Sequence, residues 1–185
     1  MKSICVYLGA NLGQEQAFSQ CTVQMGQELV RRNYRLVYGG SSHGLMGILA
    51  NTVLDCGGKV TGIIPKHLIA QEEPLETLDE LFITENMQER KLMMQQHSDA
   101  FIVMPGGLGT LEEAFETWDA IKIGVVNKPL GFLNVGNFYD GLFSFITHCV
   151  HHKFISQSQM RIPKIHSNPT LLLNDMFEQS LETLV

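Results

Sequence analysis

The sequence predicts an α/β protein in which a parallel sheet of six or seven strands is flanked by helices. Three observations carry that expectation. Short apolar runs alternate with helix-period patterns along the whole chain, the signature of successive βαβ units. Three of those runs end in glycine-containing turns, placed where open parallel sheets present a carboxyl edge to ligands. The composition, 44% hydrophobic and 17% charged, suits a globular chain of 185 residues, read here as one domain over 1–185.

The elements follow in order. SICVYLG (3–9) is the first strand, and a helix over 14–32 follows, with Phe18, Val23, Met25, Leu29 and Val30 giving it a partly apolar face. RLVYGG (35–40) is the second strand, and its glycines hand over to a helix over 44–56 that Gly57 and Gly58 stop. KVTGIIP (59–65) is the third strand, closed by Pro65. Residues 66–79, with their acids and Pro74, lack periodicity and read as a loop. A strand at 81–84 leads to a helix over 86–97. AFIVM (100–104) gives the strongest strand signal and runs through PGGLGT into a helix over 111–124. KPLGFLNV (128–135) is a further strand, a helix over about 139–152 follows, and the tail 170–185 reads as a closing helix. There is no internal repeat or linker.

A formal net charge of −6 argues against general nucleic-acid binding, which asks for a basic face. No apolar run approaches the ~18 residues that span a bilayer. The four cysteines, Cys5, Cys21, Cys56 and Cys149, form no Cys-x-x-Cys pair and read as core residues of a reducing compartment. The apolar stretch 4–8 is too short for a signal-peptide core and is broken at once by Gly9, Asn11 and Gly13, so a cytoplasmic location is expected.

The glycine turns are LGANLG (8–13), YGGSSHGLMG (38–47) and PGGLGT (105–110). Glycine admits positive φ and lets backbone amides approach a ligand, and amides opening a helix favour an anion. Any one such turn is most simply a tight bend. Three on one sheet edge describe a pocket for a phosphorylated small molecule. Neither the G-x-G-x-x-G dinucleotide fingerprint nor the G-x-x-x-x-G-K-[ST] loop is present, so the phosphate site is of another kind.

Two residues stand out near these turns. Arg90 lies three or four positions from Met87, Met93 and Met94, so it leans toward the apolar side of its helix, where a cation needs an anionic partner. The plain alternative is an exposed Glu89–Arg90–Lys91 face. Glu112 and Glu113 fall in the first turn of the expected helix, where acids suit the dipole and Thr110 with Glu113 has capping-box spacing. A carboxylate beside a phosphate turn can also stabilise an oxocarbenium-like sugar and activate water. The residues alone leave both readings open.

PGGLGTLEE (105–113) matches the PGGxGTxxE motif of the Lonely Guy (LOG) family, and NMQERK (86–91) resembles its MHERK segment. CVYLGAN, VYGGSSHGLMG, GIIPKHL and KPLGFLNVGNFYDGL are similar to further family segments, so the resemblance covers nearly the whole chain. It implies a Rossmann-like, doubly wound parallel sheet and a homodimer; no cofactor or metal is expected from the residues of this chain. The implied activity is hydrolysis of cytokinin riboside 5′-monophosphates to free base and ribose 5-phosphate, with AMP as a further substrate among bacterial members. Carried over by position, Arg90 and Glu113 are the implied catalytic pair. Gly106, Gly107, Gly109 and Thr110 hold phosphate, and Gly9, Gly40, Met87 and Lys91 line the nucleotide pocket. The label "lysine decarboxylase" that many relatives carry is not followed here, since nothing in the chain argues for a pyridoxal phosphate lysine. The chain departs from the pattern at Gly9-Ala10-Asn11, usually Gly-Ser-Ser, at Ser41, usually a third glycine, and at Gln88, usually His. These departures bear on which base is preferred.

Other residues that could carry chemistry have plainer roles. His148, His151 and His152 have a spacing that suits a metal, but they suit a helix end better, and no acid completes the set. The methionines from Met87 to Met94 suit either plain core filling or a subunit interface with part of it bordering the pocket, and the interface is the favoured reading. Trp118 reads as a packing anchor, and Glu72 and Glu73 as solvated residues of a loop that could cover the site. The alternative from another class is a non-catalytic nucleotide-binding or carrier module on the same fold.

Overall fold

The computed structural model describes residues 1–177. The strands are β1 (Ser3–Tyr7), β2 (Arg35–Tyr38), β3 (Lys59–Pro65), β4 (Glu80–Thr84), β5 (Ala100–Val103), β6 (Leu130–Leu133) and β7 (Lys164–His166). The helices between and after them are α1 (Gln16–Arg31), α2 (Gly44–Asp55), α3 (Ile69–Glu72), α4 (Met87–Gln96), α5 (Leu108–Lys122), α6 (Asp140–His151), α7 (Gln157–Met160) and α8 (Pro169–Phe177). The seven strands form one sheet in the order β4-β3-β2-β1-β5-β6-β7, and every pair is parallel. This is the Rossmann-like α/β arrangement.

Strand order runs outward from β1 through β4 on one side and jumps to β5 on the other, so the topological switch point lies between β1 and β5. Their register, Ile4 opposite Ala100 through Tyr7 opposite Val103, brings both carboxyl ends level. The pairing continues past the strands, with Met104 N–H donating to Tyr7 C=O (2.9 Å) and Gly9 N–H to Pro105 C=O (3.1 Å). Two chain segments about a hundred residues apart are thereby stitched together where a ligand would enter.

Helices cover both faces. One core joins Val6, Leu36 and Ile102 to Met25 of α1, Leu49 of α2 and Leu172 of α8. The other joins Tyr7, Val37 and Phe101 to Met94 of α4, Trp118 of α5 and Ile146 of α6. Because central strands are buried on both faces, they read as continuous apolar runs rather than alternating ones. Full burial of each such side chain contributes roughly 1.5–3 kcal/mol.

Several boundaries differ from the sequence expectation. α5 begins at Leu108, three residues earlier, with Gly107 as its N-cap, so Glu112 and Glu113 sit in the second turn and no side-chain cap bond forms. Residues 66–79 are not wholly irregular: a 3₁₀ turn (Lys66–Leu68) runs into α3, which stops at Glu73 in the left-handed region (φ 42°). α7 and β7 lie where no element was expected. β7 is a three-residue edge strand, too short to show a period. α7 does carry a sequence signal, a capping box between Ser156 and Gln159. The expected tail helix over 170–185 is present as α8 to Phe177, and its remainder lies outside the described residues. Among those residues no helix is long and apolar enough to cross a membrane.

Candidate active site

A cleft of about 480 Å³ opens at the β1–β5 switch point, a size common for small-molecule sites. Its wall includes Gly9, Met87, Arg90, Gly106, Gly107, Gly109, Thr110 and Glu113.

The glycine turn after β5 has two kinds of glycine. A Cβ at Gly106 would overlap the Thr110 side chain and come within 2.9 Å of Gly9 N, so close packing requires its absence. At Gly107 and Gly109 a Cβ would meet nothing within 4 Å. Packing does not explain those two, whereas a ligand approaching the backbone does. The first intrahelical bond of α5 runs from Leu111 N–H to Gly107 C=O (3.1 Å), and no side chain caps the helix. The amides of Leu108, Gly109 and Thr110 therefore stand at the cleft without helical partners, at the positive end of the dipole. That is an anion site by construction.

Arg90 is 6% exposed and reaches across from α4. Asn86 starts that helix by accepting Glu89 N–H, which sets Arg90 in its first full turn facing the sheet. Its Nε donates to Ile63 C=O (3.1 Å) and its Nη2 to Gly39 C=O (2.9 Å). A side chain at position 39 would overlap the guanidinium, which explains the glycine there. The anionic partner expected for a buried arginine is thus absent from its hydrogen bonds. Backbone carbonyls at the ends of β2 and β3 hold it, and its charge is left to the cleft.

Glu113 is 8% exposed. Burial pushes its carboxyl up to about 7; the Arg90 guanidinium pulls the other way, and Glu112 adds to the rise. One turn on, Thr117 shares a 2.9 Å hydrogen bond with the buried Tyr7 hydroxyl, fixing α5 against β1. Guanidinium and carboxylate so share one cleft wall, separated in sequence and joined by the fold.

Two expected pocket residues are not on that wall. Lys91 turns its ammonium to Glu112 and Glu116 (3.1 Å to the latter), and although burial lowers its pKa, these carboxylates raise it overall. Gly40, at φ +86°, bends the chain against Ile63 and Ile64, so it serves the sheet end. A third correction concerns Glu72, expected to be solvated. It lines the cleft, and its Oε2 is buried without a hydrogen-bond partner. Glu73 beside it is exposed and pairs with His43 Nε2 at 3.5 Å. Nothing in an acidic, aperiodic stretch distinguishes the two glutamates; only the fold does.

The remaining candidates lie elsewhere. Trp118 packs among Phe115, Phe132 and Phe143 and donates its Nε1–H to Gln159 C=O (3.0 Å). His148, His151 and His152 gather at the end of α6 with ring centroids 4.3 and 5.7 Å apart. Among the described residues no group of three or more His, Cys, Asp or Glu is placed to hold a metal ion.

Comparison with known proteins bears on this geometry. A family model described as "possible lysine decarboxylase" matches residues 46–176. The chain is 45% identical over 169 residues to cytokinin riboside 5′-monophosphate phosphoribohydrolase LOG3 of Arabidopsis thaliana, covering 91% of this chain and 78% of that protein. It is 42% identical over 175 residues to a probable cytokinin riboside 5′-monophosphate phosphoribohydrolase, LOGL6, of Oryza sativa subsp. japonica, covering 95% and 70%. Among solved structures, the molybdenum cofactor binding protein of Rippkaea orientalis superposes with a TM-score of 0.71 at 20% identity over 99% of both chains. At that identity the likeness shows the fold alone.

Proposed function

The chain belongs to the family of the cytokinin riboside 5′-monophosphate phosphoribohydrolases, the LOG family, and from that premise we propose that it hydrolyses the N-glycosidic bond of adenine-type nucleoside 5′-monophosphates. The products are the free base and ribose 5-phosphate. The observation that carries the reading is a buried carboxylate and a buried guanidinium on one cleft wall, beside a helix end with uncapped amides.

Phosphate sits on the amides of Leu108 to Thr110, where Gly107 and Gly109 leave the approach open. Arg90, already held by Gly39 and Ile63, offers its remaining N–H groups to the substrate without reorganising. Glu113 takes a proton from water as the water oxygen bonds to the anomeric carbon. The glycosidic bond breaks with its electron pair moving to the base nitrogen, which then acquires a proton. The carboxylate also stabilises the oxocarbenium-like charge on the sugar. The base lies toward Met46, Phe18 and Glu72, whose unpartnered oxygen suits an exocyclic N–H. A decarboxylase reading is not supported: no lysine stands on the cleft wall, and Lys91 is tied to two acids with its pKa raised, the opposite of what a Schiff-base amine needs.

Incubating the protein with AMP and with isopentenyladenosine monophosphate, then separating the bases, tests the reading. Glu113→Gln is expected to bind nucleotide as wild type does and to lose at least about a hundredfold in kcat. Release of adenine by that variant at a near-normal rate would remove the assignment. We further propose a cytoplasmic homodimer. The four unpaired cysteines support the compartment. Exposed Phe115 and Phe154 around a second hollow of about 160 Å³ support a partner surface. Sedimentation is expected to give twice the chain mass.

A further inference from the structure

We propose that Ser41 and Ser42 are positioning residues that latch Glu72 into the cleft, so that the base-contacting carboxylate is set in place before substrate arrives. This inference rests on the reading of Glu72 given above. Three donors converge on one acceptor, the backbone carbonyl of Glu72: Ser42 N–H at 3.0 Å, Ser41 Oγ at 3.3 Å and Ser42 Oγ at 3.4 Å. Ser41 is fully buried, and its hydroxyl also accepts His43 N–H at 3.1 Å, which aims it at Glu72. The turn that supplies these donors is itself fixed. Met46 N–H donates to Gly9 C=O (3.3 Å), and Gly44 packs on Ala10 too closely to admit a side chain.

The segment held by this latch cannot hold itself. α3 has four residues and closes one bond at its end, Glu73 N–H to Ile69 C=O (3.0 Å), well below the length at which a helix persists unaided. Its last side chain also has a reason to leave. Glu72 Oε2 is buried without a partner, and an unsatisfied carboxylate gains by swinging into water. The His43–Glu73 pair, with both side chains largely exposed, contributes little restraint. The serine turn fixes the main chain from which the Glu72 side chain projects, so the carboxylate cannot leave by carrying its segment away. The turn's hydroxyl at 41 stands where the LOG pattern usually has glycine, which has no hydroxyl to give.

The test uses three variants of the full chain, Ser41→Ala/Ser42→Ala, Ser42→Ala alone and Glu72→Gln. Each is read by amide hydrogen exchange over residues 69–76 and by kcat/KM for AMP against IMP, which differ at the exocyclic amine. The double variant is expected to exchange faster at 69–76, to raise KM for AMP about five- to tenfold with kcat nearly unchanged, and to shrink the AMP-to-IMP preference by a similar factor. Its Tm should fall by no more than about 5 °C. If the double variant does not fold, Ser42→Ala is judged on the same readings with smaller effects. Unchanged exchange and an unchanged AMP-to-IMP ratio would overturn the latch. Should Glu72→Gln itself leave that ratio untouched, the role of Glu72 in base recognition fails, and the exchange result alone then upholds or overturns the latch. Where wild type splits neither nucleotide, the proposed function fails and exchange again decides.

Discussion

Glu113 is a carboxyl whose charge is decided near neutrality, because burial raises it to about 7 against the pull of Arg90. A base of that kind works only when ionised, so kcat/KM should climb about tenfold per pH unit below 7 and level off above it. A stopped assay from pH 5 to 9 checks this, with the substrate phosphate's own ionisation near ~6 measured separately. The same shift has a stability sign. A carboxyl raised in the folded state contributes stability fully present below its unfolded value and lost as pH rises through about 7. Wild type should therefore be less stable than Glu113→Gln at pH 8, by on the order of 2 kcal/mol, with the gap closing toward pH 4. Urea melts of both proteins at the two pH values decide it. Arg90 shows the limit of residue-level reading in the sequence. Its position among methionines suggests burial, yet its partners are the carbonyls of Gly39 and Ile63, and backbone acceptors leave no trace in a side-chain pattern.

At the scale of elements, the amino end of α5 separates stability from function. Gly109 lies inside the helix with open space beside it, so alanine there should stabilise the fold by about 0.5–1 kcal/mol while crowding the phosphate site. Gly106→Ala should instead destabilise, since its Cβ would overlap Thr110. Thermal melts paired with KM for AMP give opposite Tm shifts and a raised KM in both variants; a Gly109→Ala protein with wild-type KM would move the phosphate site elsewhere. Long elements with apolar periods, such as α1 and β5, were legible in the sequence because their burial dictates their residues. The start of α5 was not, because Gly107 and Gly109 on either side of Leu108 read as a turn, and local glycine propensity gives way to a tertiary demand for bare amides. α3 and β7 were missed for a shared reason: four and three residues are too few to display a period. The cleft's glycines were legible through their number and spacing, whereas Glu72 depends on how a loop returns to the sheet.

Over the whole molecule, the net charge is −6, and the cleft sets an uncapped helix end and the Arg90 guanidinium beside the Glu72 and Glu113 carboxyls. A nucleotide dianion is repelled at a distance and held at contact. Raising ionic strength from about 20 to about 150 mM shortens the Debye length to about 8 Å and should screen the repulsion more than the enclosed contacts. Stopped-flow association of AMP should quicken with salt, and a marked slowing would show that the cleft's own field reaches beyond its mouth. The sheet's overall layout was legible because βαβ alternation restricts topology; which two strands would flank β1 was not written in any local pattern. That pairing also bears on synthesis. β1 leaves the ribosome well before one of its neighbours, β5, with Ser3 and Asp99 bonded across 96 positions. Until that neighbour is made, a nascent Ile4-Cys5-Val6 edge stays open to strand addition from other chains. The sheet's centre is completed late, and a slowed or truncated translation product ending before residue 100 should aggregate rather than fold.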